Sequence, residues 1–381
     1  MTDRGQLEAL VRSAATALQA GDHAAARRLL DQVTAVARGN IQIWLMQAIA
    51  ARGMADWVAA EAAADLALTA DPQNIRALIV KGDARAALDE PRGATRFYDS
   101  AIKLADGRSL PGDLANEVAR ARDASQTLAA AFRQQLETGL AAADIPRSRR
   151  FQHALDLLFG EKQIYQQQPK MFYFPELPQR QYFEREEFDW VPALEAQTDA
   201  IRGELLRLLA DRSGFRPYLV TDPNSPRKEF HGLNDNPDWS SLYLHENGAP
   251  VAANVARAPV TYAAIRDLPL CRITTRAPTI MFSLLKAGAR IPAHTGMLNT
   301  RLICHLPLVV PPDCGFRVGN EAREWEVGKL LIFDDTMEHE AWNDSDEDRV
   351  VLIFDVWRPE ITPDERTAVE AIFAQIDSGQ T

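Results

Sequence analysis

The first 106 residues repeat themselves with a step of 34. Leu10, Trp44 and Leu78 share one phase of that step, Ala26, Ala60 and Ala94 a second, and Leu30, Ala64 and Tyr98 a third. A period of roughly 20–50 residues marks a chain built from one small unit stacked on itself. Small residues at fixed phases let paired helices approach closely, and each unit needs its neighbours to bury its apolar face. Asp71-Pro72 closes the second unit where proline stops a helix. A plain Ala-rich helical bundle is the less specific alternative. In either case the region offers a binding face, since nothing in it has the makings of an active site. His23, alone beside Asp22, reads as a surface residue.

Gly107 to Gly112 breaks the pattern, and a long helix is expected over Leu114 to Ala142 as a cap on the stack. Ile145-Pro146 with Arg147, Arg149 and Arg150 reads as a turn and a solvated helix start, leading into a helix over Phe151 to Phe159. Met171 to Pro175 marks the expected start of a second domain. The spacing of Phe188, Trp190, Leu194, Ile201 and Leu205 predicts one amphipathic helix over Glu184 to Leu209. Arg216 to Pro237 reads as loop, with Pro223 to Arg227 its least ordered part. A strand is expected over Asp238 to Leu244 and a short helix over Pro259 to Leu268.

From Met281 to Pro359 the periodicity changes. Apolar and polar residues alternate over short runs that end in Gly, Pro, Asn or Asp, as in consecutive strands of a jelly-roll or cupin-like barrel. The stretch holds three of the seven histidines: His294 in a turn beyond the strand Met281 to Lys286, His305, and His339 at the start of another strand. Arg349 opens the last strand. Two histidines and an arginine on neighbouring strands suggest a metal site with a partner for an acid.

A chain of 381 residues has room for two domains, each with its own core. The net charge of -11 and the lack of a long basic stretch argue against nucleic acid. Cys271, Cys304 and Cys314 form no CxxC pair, so neither a disulfide framework nor a cysteine zinc site is expected. The first residues lack the layout of a secretory signal, and no apolar run reaches the length of a membrane span. A cytoplasmic protein without membrane contact is the expectation.

The repeats resemble about three tetratricopeptide repeats. The second half resembles the aspartyl/asparaginyl beta-hydroxylase family of iron(II)- and 2-oxoglutarate-dependent dioxygenases. The likeness is carried by His294-Thr295-Gly296, Arg301 to Leu306, Lys329 to Asp335, Glu338-His339-Glu340 and Asp355-Val356-Trp357. It begins near Tyr173-Phe174-Pro175, continues through Trp239-Ser240, and says nothing of the first third. The fold expected is therefore α+β and multidomain: tetratricopeptide-like repeats over 1–106, a helical capping or linker region over 107–170, and a double-stranded β-helix dioxygenase domain over 171–381.

The resemblance implies iron(II), 2-oxoglutarate as co-substrate, and O2. It makes His294 and His339 the only protein ligands of the metal, because Gly296 stands where related oxygenases carry a carboxylate. It pairs Arg349 with the distal carboxylate of the keto acid, a task that suits a planar fork, with Ser283 helping. Trp239 lies beside the co-substrate, and His305 near its metal-side carboxylate. Strand alternation puts Arg301, Ile303 and His305 on one face. The family commonly has a second arginine where Ile303 stands; Arg301 or Arg290 compensates, or the substrate differs. Asp334, Asp335 and Glu338 read as capping and solvation, Trp325, Trp342 and Trp357 as packing, and Cys304 as core. The reaction implied is hydroxylation of the β-carbon of an Asp or Asn residue in a peptide or protein docked by the repeats. The rivals are an inactive barrel serving as a scaffold, or a hydroxylase of a small molecule.

Overall fold

The computed structural model describes residues 4–37, 39–211, 213–221 and 230–378. The segment Pro223 to Arg227 lies outside them. The chain divides into two compact units between Glu161 and Lys162.

In the first unit three helix pairs follow the 34-residue step: α1 (Arg4–Gln19) with α2 (His23–Val36), α3 (Ile41–Gly53) with α4 (Trp57–Ala70), and α5 (Ile75–Ala87) with α6 (Pro91–Ala105). Ala26, Ala60 and Ala94 are fully buried, as are Leu30 and Ala64. The caps keep the same period. Asp22 and Asp56 accept from Ala25 N and Ala59 N at 2.8 and 3.2 Å. Asn40 and Asn74 accept from Ile43 N and Ala77 N, both at 3.1 Å. Each cap satisfies an orphan amide and is worth about 1 kcal/mol. His23 is not a free surface residue: a Cβ on Gly53 would meet its ring at 2.3 Å, so the two helices touch through that glycine.

The long helix α7 (Gly112–Ala142) packs Val118 and Ala121 against Ile79 and Tyr98. Buried Asp83 fixes it, accepting from Tyr98 Oη at 2.7 Å and from both terminal nitrogens of Arg120 at 2.8 Å. Helix α8 (Arg149–Leu158) ends the unit. No helix among the described residues is long and apolar enough to cross a membrane.

The second unit opens before Met171, because Gln163 already pairs with Asn320. Its strands are β1 (Tyr182–Phe183), β2 (Arg216–Pro217), β3 (Trp239–Glu246), β4 (Ala249–Pro250), β5 (Ile280–Leu285), β6 (Arg290–His294), β7 (Arg301–Val309), β8 (Cys314–Val318), β9 (Glu321–Glu324), β10 (Leu331–Phe333), β11 (His339–Asn343) and β12 (Arg349–Trp357). Eight form a sheet in the order β1-β10-β7-β12-β5-β3-β2, with β4 on β3. Four form a second sheet, β6-β11-β8-β9. All the strand pairs are antiparallel. This is the double-stranded β-helix.

Strand alternation divides the large sheet. Phe282, Leu284, Leu302, Cys304, Leu352 and Phe354 face one way, into a core with Leu194, Ile201 and Leu205. Each such side chain contributes roughly 1.5–3 kcal/mol by leaving water. The covering helices are α9 (Val191–Glu195), α10 (Thr198–Asp211), α11 (Ala252–Val255) and α12 (Pro259–Ile265), with α13 (Pro363–Ser378) at the end of the chain. The single helix expected over Glu184 to Leu209 is broken into a 3-10 turn at Arg185–Glu187, then α9 and α10. Pro192 lies in the first turn of α9, where its missing amide costs nothing. The opposite face of the sheet looks into the barrel.

Candidate active site

A cavity of about 570 Å³ occupies the barrel interior, and it collects His294, His339, His305, Ser283, Trp239, Arg301 and Arg349. His294 is not in a turn: it ends β6, directly opposite His339 at the start of β11. Their rings lie 4.1 Å apart. Nδ1 of His294 is 2.8 Å from Pro292 O, and Nδ1 of His339 is 3.0 Å from Met337 O. Those carbonyls fix the tautomer that protonates Nδ1 and leaves Nε2 as the lone pair. Burial lowers the pKa of His294 and takes that of His339 down to about 3. Both rings are therefore neutral at physiological pH, as ligation requires.

Arg349 is 2% exposed and forms no ion pair among the described residues. Its Nε and Nη2 are buried without a partner, and burial pulls its pKa down to about 10. Under it lies Trp325, whose ring centre is 5.1 Å from the guanidinium carbon. Trp325 also stacks on His305 at 5.5 Å and 9°, so it packs against two of the cavity's residues. His305 is buried with Nδ1 unpartnered, and its pKa falls well below the ordinary value through burial and the nearby Arg349. Ser283 Oγ accepts from Trp239 Nε1 at 3.2 Å, which leaves the serine hydrogen to donate. An unpaired guanidinium, an unpaired imidazole nitrogen and a free hydroxyl hydrogen in one cavity are the groups that an anion would need.

Arg301 is committed elsewhere. Its Nη1 donates to Asp355 at 3.1 Å and its Nη2 reaches Asp335 at 3.5 Å. Burial would lower its pKa, but the two acids hold it above the usual range. Arg290, the other cation expected to compensate for Ile303, has an exposed side chain and pairs with Asp344. Arg290 is not left to take up the role of the missing arginine, and Arg301, its charge already shared by two acids, keeps only its Nε without a partner.

The turn expected at Asp334-Asp335 is capped, Asp334 Oδ1 accepting from Thr336 N at 3.0 Å, but Asp334 and Asp335 are buried, so it is not solvated. Asp334 accepts from Arg358 Nη1 and Gln167 Nε2, both at 2.6 Å. Asp335 lies against Gly296: a Cβ there would come within 2.0 Å of its Oδ2. The absence of a side chain at 296 is what gives that carboxylate its place. A strand-like strap, invisible in the sequence, ties both histidine loops together. Gln168 N donates to Thr336 O at 2.8 Å, and Lys170 N to Gly296 O at 2.9 Å. Among the described residues no group of three or more His, Cys, Asp or Glu is placed to hold a metal ion. The histidine pair alone fits a divalent transition metal that completes its shell with other ligands.

Residues 195–359 match the aspartyl/asparaginyl beta-hydroxylase family model. The mouse aspartyl/asparaginyl beta-hydroxylase is 37% identical over 183 residues, 48% of this chain and 23% of that one. The ornithine lipid ester-linked acyl 2-hydroxylase of Rhizobium tropici is 34% identical over 181 residues, 46% of this chain and 60% of the other. Human aspartate beta-hydroxylase domain-containing protein 2 is 30% identical over 213 residues, 55% of each chain. The chain thus spans between about a quarter and three fifths of these relatives' lengths. Among solved structures, the Sgt2 TPR domain from Aspergillus fumigatus is 19% identical and covers 37% of this chain and 86% of that one at a TM-score of 0.28. Over residues 195–359 the second unit is thus similar to aspartyl/asparaginyl beta-hydroxylase domains, and a helical-repeat unit precedes it in the chain.

Proposed function

We propose that the second unit is an iron(II)- and 2-oxoglutarate-dependent hydroxylase of an unactivated carbon. The observation that carries this reading is Arg349, a buried guanidinium with no protein partner in the cavity of two neutral histidines. A charge in that setting is retained when a ligand supplies its counter-ion. His294 and His339 hold the metal. Arg349 grips the distal carboxylate of the keto acid with Ser283 Oγ donating beside it, and His305 serves the metal-side carboxylate. Phe316, Phe333 and Ile303 line the cavity and exclude water. Bound iron with 2-oxoglutarate supplies the oxidising chemistry, in which O2 gives one atom to succinate and one to the substrate as carbon dioxide leaves.

By resemblance the carbon is the β-carbon of an Asp or Asn residue in a peptide or protein. The repeats would dock that chain, raising the local concentration of the target residue. The first test is succinate release from 2-oxoglutarate by the full chain with iron(II) and ascorbate. Turnover is expected, and His294→Ala or His339→Ala should abolish it and weaken iron binding without unfolding the unit. No succinate from the parent protein would favour the inactive scaffold. Docking is tested by removing residues 1–161 and comparing a long with a short peptide around the target residue. A defect confined to the long peptide is expected, and equal rates on it would rule docking out.

A further inference from the structure

We infer that the group this site hydroxylates is uncharged and mainly aliphatic, and that Ile303 sets that preference. The inference rests on the reading just proposed and narrows its substrate. It follows from where the cations of the cavity are spent. Arg349 faces the keto acid. Arg301 lies between Asp355 and Asp335. Lys170 is an exposed residue of the cavity rim, where water screens it. Once the keto acid is in place, no buried lining cation among the described residues remains unpaired.

The wall left for the substrate is apolar around Ile303 and carries acids and neutral polar groups elsewhere. Ile303 is 9% exposed on β7, between Arg301 and His305 and opposite Asp355 on β12. Met281 and Ile353, opposite one another on β5 and β12, line the same cavity, and Met297 continues the lining to an exposed position. A carboxylate entering here would lose hydration, find no cation free of an acid, and approach two acids that already share one arginine. A neutral chain would gain by burial against the same wall. An ionised aspartyl side chain is therefore the wrong substrate for this cavity. An asparaginyl side chain is admissible, and an aliphatic one fits best. The chemical balance is unchanged: a C–H bond becomes C–OH, with O2 and 2-oxoglutarate consumed as before.

The test uses the full chain saturated with iron(II) and 2-oxoglutarate without air. It is titrated calorimetrically with end-blocked pentapeptides of alanine whose central residue is leucine, asparagine or aspartate. The leucine peptide is expected to bind more tightly than the aspartate peptide by on the order of tenfold or more, with asparagine between. Ile303→Arg is expected to reverse the leucine–aspartate order. Equal affinities in the parent protein, including undetectable binding of both, or an aspartate preference, would overturn the inference. Should the variant not fold, the parent comparison decides alone. Succinate formed in air without peptide reports separately on the underlying reading. Turnover without a neutral preference sinks only the present inference.

Discussion

Arg349 and Arg301 stand at opposite ends of the central strand β12. Arg349 is its first residue, and Arg301 on β7 faces Trp357, its last. Both guanidiniums lie in the same cavity, Arg349 buried and Arg301 largely so, yet their surroundings differ. Two carboxylates meet Arg301, and they hold its pKa above the usual range against the pull of burial. A tryptophan face meets Arg349, and no carboxylate opposes the pull of burial on it. Desolvating an ion costs several kcal/mol, offset only by good partners. Arg301 has them within the fold, so it is part of the architecture. Arg349 lacks them within the fold, which is why the proposed reading gives it an outside partner. Charge of one kind in one cavity is thus answered by the fold at one end and not at the other.

The largest effect should come from removing each charge in turn. Arg301→Met would leave Asp335 and Asp355 buried without a counter-charge, and should lower unfolding stability at neutral pH by about 3–5 kcal/mol. Arg349→Met removes a charge that the fold does not pair, so stability should hold or rise. Stabilisation by added 2-oxoglutarate should vanish in it. Denaturant unfolding of both variants, with and without the keto acid, measures this. Similar losses in the two variants would erase the distinction.

The acids on the Arg301 side give a second handle. Burial raises the Asp335 pKa to about 6, with Arg301 opposing. A folded value above the unfolded one means that the fold favours the protonated acid. The associated stability is full below about pH 4 and is lost as the pH rises through about 6. Asp335→Asn, in the metal-free protein, should therefore match the parent near pH 4. At pH 8 it should exceed the parent by up to roughly 3 kcal/mol. A constant difference across that range would mean that Asp335 stays ionised throughout, and that Arg301 is balanced by both acids.

Sequence alone made one arginine legible and the other not. Family resemblance marks Arg349, and the strand period puts Arg301, Ile303 and His305 on the cavity face, as they are. Period reports a face and not a partner. Asp355 lies 54 residues from Arg301, and no local pattern links them. The same limit hid Asp335, which looked like a turn cap because its neighbours are polar, and the strap at Gln168 and Lys170, whose bonds are all to distant backbone. The repeats were easier. Their contacts are between neighbours in the chain, so one phase of buried alanines exposes the whole stack. Trp325 was missed for a different reason. It follows β9 in a loop, where neither helical nor strand period assigns it a face.

Trp325 gives the smallest and most discriminating prediction. Replacing the fork itself, Arg349→Lys, keeps a charge but loses paired hydrogen bonds, and should weaken 2-oxoglutarate binding about tenfold to a hundredfold. Trp325→Leu leaves the arginine in place and takes away only the flat surface beneath it. A cation over an indole gains about 0.5–1 kcal/mol at ordinary sites, or about two- to fivefold in affinity if that energy goes into positioning. The same ring also stacks on His305, so its loss frees two groups that must converge on one ligand. Trp325→Phe keeps an aromatic face and should bind close to the parent protein, while Trp325→Leu should bind more weakly. Titration of 2-oxoglutarate into the three metal-loaded proteins reads this directly. If leucine binds as well as tryptophan, the ring is only filler, and the Arg349 fork orients itself without help. If leucine and phenylalanine fall together, bulk rather than the π face sets the position. Only a loss in leucine that phenylalanine restores makes the aromatic face part of the receptor, as the paired carboxylates are part of the scaffold at Arg301.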